Sequence, residues 1–229
     1  MRLNAAGRLD APSLDLVTCL ALCDRMHGAT LGAFDPTVQP LWDMYAQAVT
    51  ENRPAGDGEI PAALARSGRD GVAIDSARIG LRPGMALTLN GIAQGFIADR
   101  VADLLRGRGV ENVLIDTGEI AAIGHDPQGG AWPVTIRDGR ELRLQDRALA
   151  TSAPLGTVLD AAGTIGHILD PVSGRPAGSQ WRQISISARQ AAVADALSTA
   201  ACLMPDRAAI DAACRAAGDA RLEQAFAQG

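Results

Sequence analysis

Residues 132–170 of this chain read as one strand after another, and residues 190–217 as one helix after another. Segments 132–137, 141–144, 148–151, 157–159 and 164–169 are short and rich in alternating apolar residues. Asp-Gly, Gln-Asp and Ala-Gly turns separate them. That spacing predicts an antiparallel meander, with a further strand over 184–188. Helices are expected over 190–204 and 206–217, divided by Pro205, which cannot continue a helix. Strands and helices segregated into blocks exclude an alternating α/β sheet and predict an α+β fold.

The first half adds helices and one strand pair. Ser13 follows Pro12 and can cap a helix running to Gly28. Asp35-Pro36 opens a turn and a short helix to Trp42, residues 51–57 form a loop, and 72–81 alternate as strands. The clearest helix runs from Gly91 to Gly109, with Ile92, Phe96, Ile97, Val101, Leu104 and Leu105 on one side. Residues 113–115 form a short apolar strand. No repeat or linker divides the chain, so residues 1–229 are expected to form one domain with an antiparallel sheet and packed helices.

Aromatic residues make up 3% of the sequence, so the core must be built from Ala, Leu, Ile and Val. The net charge of −5 and the absence of a basic cluster argue against a nucleic-acid surface. All 21 basic residues are arginine. Cys19, Cys23, Cys202 and Cys214 form no C-x-x-C pair and are expected to be small apolar helix residues. No stretch is long and apolar enough to span a membrane, and no apolar core follows Arg2 as in a signal peptide.

Two segments a hundred residues apart could share a metal ion. On a helix, Asp195 and Thr199 are four residues apart and Ser198 three from Asp195, so all three oxygens project from one face. A carboxylate and two hydroxyls form a hard, all-oxygen surface that suits Mg²⁺ better than Zn²⁺. The segment from Thr88 to Gly95 is a glycine-bearing turn opening a helix. There the Gly91 carbonyl can reach a metal and backbone amides can reach a phosphate. His167 stands at a strand end, where an imidazole can act as a general base or simply cap a turn. Ala33-Phe34-Asp35 can present a ring and a carboxylate to a ligand, or place Phe34 in the core with Asp35 as a helix cap.

Six motifs occur in order over about 170 residues. They are Gly32-Ala-Phe-Asp-Pro-Thr-Val-Gln-Pro-Leu-Trp42, Leu89-Asn-Gly-Ile-Ala-Gln-Gly95, Ala98-Asp-Arg-Val-Ala-Asp-Leu-Leu105, Ala148-Leu-Ala-Thr-Ser152, His167-Ile-Leu-Asp-Pro-Val-Ser-Gly-Arg-Pro176 and Ala194-Asp-Ala-Leu-Ser-Thr199. Together they resemble the ApbE family, the FAD:protein FMN transferases. The resemblance implies Mg²⁺-dependent transfer of FMN from FAD to a Thr or Ser hydroxyl of an acceptor flavoprotein, with release of AMP. It implies Gly91, Asp195, Ser198 and Thr199 as metal ligands and His167 as catalytic base. It implies Ala33, Phe34, Asp35, Thr88, Gln94, His167 and Ile168 as FAD contacts, the first three at the adenosine part. A periplasmic location and a membrane-bound electron-transfer partner are further implications.

Three departures stand out. Many relatives carry Asp and Lys where this chain has Thr88 and Gln94, so a charge that steadies the pyrophosphate is missing. Asp116-Thr-Gly-Glu119 replaces a common Asn-x-Gly-Gly-Asp and lacks its second glycine. With Gln94 it resembles the NosX-like branch associated with nitrous oxide reductase maturation. The match begins near Leu3-Asn4, whereas relatives begin upstream with an export signal or lipoprotein anchor, so the chain reads as N-terminally truncated. These departures leave two alternatives: an FAD pyrophosphatase releasing FMN and AMP, or a non-catalytic flavin-binding maturation factor.

Overall fold

The computed structural model describes residues 2–56, 58–136, 139–178 and 180–227. Met1, Asp57, Arg137 and Gly229, which end segments expected from the sequence, lie outside the described residues. In chain order the elements are α1 (Arg2–Ala6), β1 (Arg8–Asp10), α2 (Leu14–Ala29), α3 (Gln39–Thr50), α4 (Glu59–Leu64), β2 (Val72–Ile74), β3 (Arg78–Leu81), α5 (Ala93–Gly107), β4 (Val113–Asp116), β5 (Ile120–Ile123), β6 (Trp132–Thr135), β7 (Glu141–Leu144), β8 (Arg147–Ser152), β9 (Trp181–Ala188), α6 (Ala191–Ala201), α7 (Arg207–Ala216) and β10 (Arg221–Ala227). The class is α+β, as the sequence predicts.

The central sheet has the strand order β10-β9-β8-β5-β4, and every pairing is antiparallel. A small sheet β1-β3-β2 and the hairpin β6-β7 stand apart. The expected continuous meander is therefore corrected. The β6-β7 hairpin is a sheet of its own, tied to β5 through the Trp132 indole, whose Nε1–H donates to the Ile123 carbonyl at 3.0 Å. Residues 157–169 are not strands. They meet only at the bridges Val158–Gly166 and Leu169–Pro176. Asp160 explains this, because its Oδ1 accepts the amides of Thr164 and Ile165 and curls the chain into a loop.

Helix ends follow local chemistry. Ser13 Oγ accepts the Leu16 amide at the start of α2, and Asp206 caps α7 through the Ala209 amide. The helix expected to close at Trp42 runs on to Thr50 as α3. Helix α6 is buried on almost all sides by Ala, Val and Leu and packs on β8 and β9. All four cysteines are free and buried.

Small residues let α5 lie directly on α6. A Cβ at Gly95 would fall 2.4 Å from the Ala191 carbonyl oxygen and 2.7 Å from the Ala192 Cα, both backbone atoms. Asp99, one turn along α5, fills the other half of the joint. Its two carboxylate oxygens accept the Ala191 and Ala192 amides at 2.8 and 3.0 Å, so one helix caps the next. Gly95→Ala is expected to force the helices apart at a cost of about 1–3 kcal/mol. At roughly 2–4 °C per kcal/mol for a chain this long, thermal denaturation should show a clear drop in Tm. An unchanged Tm would mean the two backbones are not in contact.

Candidate active site

The α5–α6 joint brings the two candidate metal segments together. The Gly95 amide donates to Asp195 Oδ2 at 3.1 Å. A Cβ at Gly91 would lie 3.0 Å from Thr199 Cγ2 and 3.1 Å from its Oγ1. Asp195 is 4% exposed. Burial outweighs the Gly95 hydrogen bond and pushes its carboxyl up to about 6. Ser198 behaves differently from its neighbours. It is fully buried, its Oγ donates to the Asp195 carbonyl, and it meets Ser152 Oγ at 2.7 Å. Because that hydroxyl has one proton, Ser152 must donate to it. Ser198 thus steadies Ser152 from behind, and it lines neither hollow beside this joint.

Two adjoining hollows open beside this joint. The larger, about 480 Å³, is lined by Gln94, Asp116, Glu119, Ser152, Gln183 and Asp195 among others. The smaller, about 90 Å³, is lined by Ala33, Phe34, Asp35, Thr88, Gly91 and Ile168. Asn90, His167 and Thr199 line both. The structure therefore gathers every candidate residue except Ser198 onto the walls of two connected hollows. The core and cap reading of Phe34 and Asp35 matches the structure. Phe34 is packed in the core and Asp35 Oδ1 caps the following turn through the Thr37 amide at 2.7 Å, yet both border the smaller hollow. Thr88 is pinned beside them, its amide donating to the Pro36 carbonyl at 2.8 Å.

His167 sits on the shared wall, held by its backbone and its ring. Its amide and its Nδ1 both reach the Thr157 carbonyl, the latter at 2.9 Å. A carbonyl can only accept, so this contact places the proton on Nδ1 and leaves Nε2 of the neutral ring with a lone pair. That is the protonation pattern a general base requires. Gln94 lies against the turn after β4. A Cβ at Gly118 would come within 2.6 Å of Gln94 Nε2, which could swing aside, but φ there is +96°, a backbone conformation that favours glycine.

The larger hollow is acidic. Asp116, Glu119 and Asp195 line it, and no arginine lines either hollow among the described residues. Glu119 is 7% exposed. Burial, then the charge of Asp195, pushes its carboxyl up to about 8, against a smaller opposing pull from the Thr151 backbone. Both acids have folded values above their ordinary ones of 3.8 and 4.5. The folded state thus holds these protons more tightly than the unfolded chain. The metal-free protein is fully favoured below about pH 4 in this respect and loses stability as pH rises from there to about 8, by an amount on the order of a few kcal/mol. Chelator-treated protein should melt at a lower temperature at pH 8 than at pH 5, and the double variant Asp195→Asn, Glu119→Gln should lose most of that difference. Equal slopes in both proteins would show that these carboxyls are not the source.

Among the described residues, no three His, Cys, Asp or Glu side chains converge as a metal cage. The oxygens available suit a cation held by one carboxylate, a hydroxyl and a carbonyl, with the remaining positions left to water and a ligand's own oxygens, the usual habit of Mg²⁺. Asp195, Thr199 and Gly91 meet that description, and Ser198 has the right oxygen but lines neither hollow. Sequence reasoning missed Glu119 and Gln183 as site residues. Glu119 reads as part of a solvated turn and Gln183 lies just before the strand expected over 184–188, and neither residue type signals burial.

The sequence model of the ApbE family matches residues 1–222. The FAD:protein FMN transferase of Vibrio cholerae is 30% identical over 208 residues, covering 85% of this chain and 62% of that protein. The chain thus spans less than two thirds of that relative's length. The crystal structure of the Pseudomonas stutzeri flavinyl transferase ApbE superposes with a TM-score of 0.83 at 25% identity, covering 99% of this chain and 76% of that one. The apbe protein of Thermotoga maritima gives 0.79 at 27%, covering 88% and 70%. Among the described residues, no helix is long and apolar enough to cross a membrane. With its motifs folded around one joint and its sequence matched almost end to end, this chain belongs to the ApbE family.

Proposed function

We propose that this chain transfers FMN from FAD to a Thr or Ser hydroxyl of an acceptor flavoprotein, with Mg²⁺ as cofactor and AMP as the second product. One observation carries the reading. The hollow holds three carboxylates and no arginine among the described residues, yet lies beside a glycine turn suited to phosphate. An anionic pyrophosphate enters such a site only together with a cation. Curated relatives named FAD:protein FMN transferase support the choice of FAD.

When bound, Mg²⁺ would neutralise the charge that grows on the pyrophosphate as its bridging bond breaks. Asp195, Thr199 and the Gly91 carbonyl would hold it. The acceptor hydroxyl oxygen attacks the FMN phosphorus and the bond to the AMP phosphate breaks, with the electron pair leaving on AMP. His167 Nε2 accepts the hydroxyl proton. The smaller hollow, with Ala33, Phe34 and Asp35, takes the adenosine half, and Ile168 and Thr88 close it. We further propose, from the family resemblance, a periplasmic location and a membrane-bound electron-transfer protein as a partner. Gln94 together with Gly118-Glu119 supports the NosX-like branch. Incubation with FAD, Mg²⁺ and an acceptor domain separates the outcomes: FMN fixed to the acceptor supports transfer, whereas free FMN means a hydrolase and unchanged bound FAD a carrier.

Gln94→Lys tests how this site manages without the lysine common in relatives. A charge-assisted hydrogen bond to the pyrophosphate should tighten FAD binding by about tenfold at low salt, and the gain should shrink as salt rises. Weaker Mg²⁺ binding with no gain in FAD affinity would instead show a pocket adapted to a neutral amide.

A further inference from the structure

Two residues that line the larger hollow each carry a buried polar atom with no hydrogen-bond partner: Glu119 Oε2 and Gln183 Nε2. Glu119 is 7% and Gln183 4% exposed. They arrive from different elements, Glu119 from the turn before β5 and Gln183 from β9. No hydroxyl, amide or carbonyl of the described residues pairs with either atom. Leaving such groups unpaired is costly, and folded chains keep them only where something else completes them.

The two atoms are complementary in kind. A carboxylate oxygen, the form that an incoming N–H selects although burial raises the free Glu119 carboxyl, only accepts, and an amide nitrogen only donates. Together they fit a flat group that carries an N–H next to a C=O. Resting on the reading above, we infer that Glu119 and Gln183 bind the pyrimidine edge of the isoalloxazine ring, with Glu119 accepting the N3–H and Gln183 donating to a flanking carbonyl. The pair is then the specificity element for the flavin end of the substrate. This placement follows from the adenosine half occupying the smaller hollow, with His167 and Thr199 on the wall between the two ends. Two other groups also offer a donor beside an acceptor: the Watson–Crick edge of adenine, through its N6–H and N1, and a backbone amide of the acceptor protein.

Calorimetric titration in the presence of Mg²⁺ and without any acceptor distinguishes them. The probes are FAD, ADP and N3-methyl-FAD, and the proteins are the wild-type chain, Glu119→Leu and Gln183→Leu. Each substitution should weaken FAD by about 3- to 10-fold, the worth of one buried hydrogen bond, and leave ADP affinity unchanged. N3-methyl-FAD should bind the wild-type chain at least about tenfold more weakly than FAD does, a comparison that needs no folded variant. It should lose most of that handicap in Glu119→Leu. Unchanged FAD affinity in both variants overturns the inference and leaves the acceptor's backbone as the occupant. An equal loss of FAD and ADP overturns it in favour of adenine. A wild-type chain that binds ADP but shows no preference for FAD overturns the parent reading as well.

Discussion

Replacing His167 with alanine is expected to lower the rate of FMN transfer by about 10²–10⁴-fold, the usual contribution of a general base. FAD affinity should stay within about threefold of wild type. The expectation rests on one contact. The Thr157 carbonyl fixes the Nδ1 proton, so Nε2 is the free basic nitrogen on the wall shared by both hollows. Single-turnover kinetics separate the two parameters, because binding and chemistry are then read independently. A loss shared equally between binding and rate would make His167 a ligand contact. Alanine keeps the backbone amide bond to Thr157 but loses the Nδ1 bond that also holds the 157–169 loop, so His167→Gln, which keeps a hydrogen-bonding group without the basicity, serves as control. Glutamine should be as slow as alanine.

Asp195→Asn carries the second large effect. Activity at saturating FAD should fall by at least about 10²-fold, the scale on which loss of one preorganised electrostatic group is felt. The fold should be unharmed. Asparagine keeps an oxygen for the Gly95 amide, and it removes a carboxylate that burial holds at about 6. The metal-free variant should therefore be more stable than wild type at pH 8, where the wild-type carboxylate is ionised and has no ion-pair partner among the described residues. At pH 4, where both are neutral, the two should melt alike. Higher stability with lost turnover is the signature of a residue kept for chemistry. Wild-type turnover in this variant would remove Asp195 from the metal site.

The site is more legible in the sequence than the sheet. Asp195 and Thr199 sit at helical spacing in an unbroken small-residue run, and such spacing fixes which side chains share a face. The glycines at 91 and 95 point to close approach by their residue type alone, and they are where α5 meets α6. The same spacing leaves the direction of Ser198 open. A helical face is wide, and whether a hydroxyl on it looks into a cavity or toward a buried neighbour such as Ser152 depends on tertiary packing. Strand β5, Ile-Ala-Ala-Ile, carries no alternation because both its faces are covered, so no period in its sequence marks it as a strand. Strand β10 escapes for the opposite reason: its sequence Arg-Leu-Glu-Gln-Ala-Phe-Ala is polar at a sheet edge. Residues 157–169 have strand-like composition, but the Asp160 side chain supplies the hydrogen bonds that a neighbouring strand would have supplied. Glu119 and Gln183 show the same limit at the site, since burial of an isolated polar residue leaves no trace in its own sequence neighbourhood.

The central claim is that FMN moves from FAD to a protein hydroxyl in the hollow beside the α5–α6 joint. Its most direct test is intact-mass and AMP measurement on one reaction mixture of wild-type chain, FAD, Mg²⁺ and an acceptor domain bearing an exposed Thr. The account predicts one FMN added to the acceptor for each AMP released, both lost with Asp195→Asn and both lost when Mg²⁺ is chelated. AMP appearing with free FMN and an unmodified acceptor, or flavin attached to the acceptor at the wild-type rate in the Asp195→Asn protein, would contradict it.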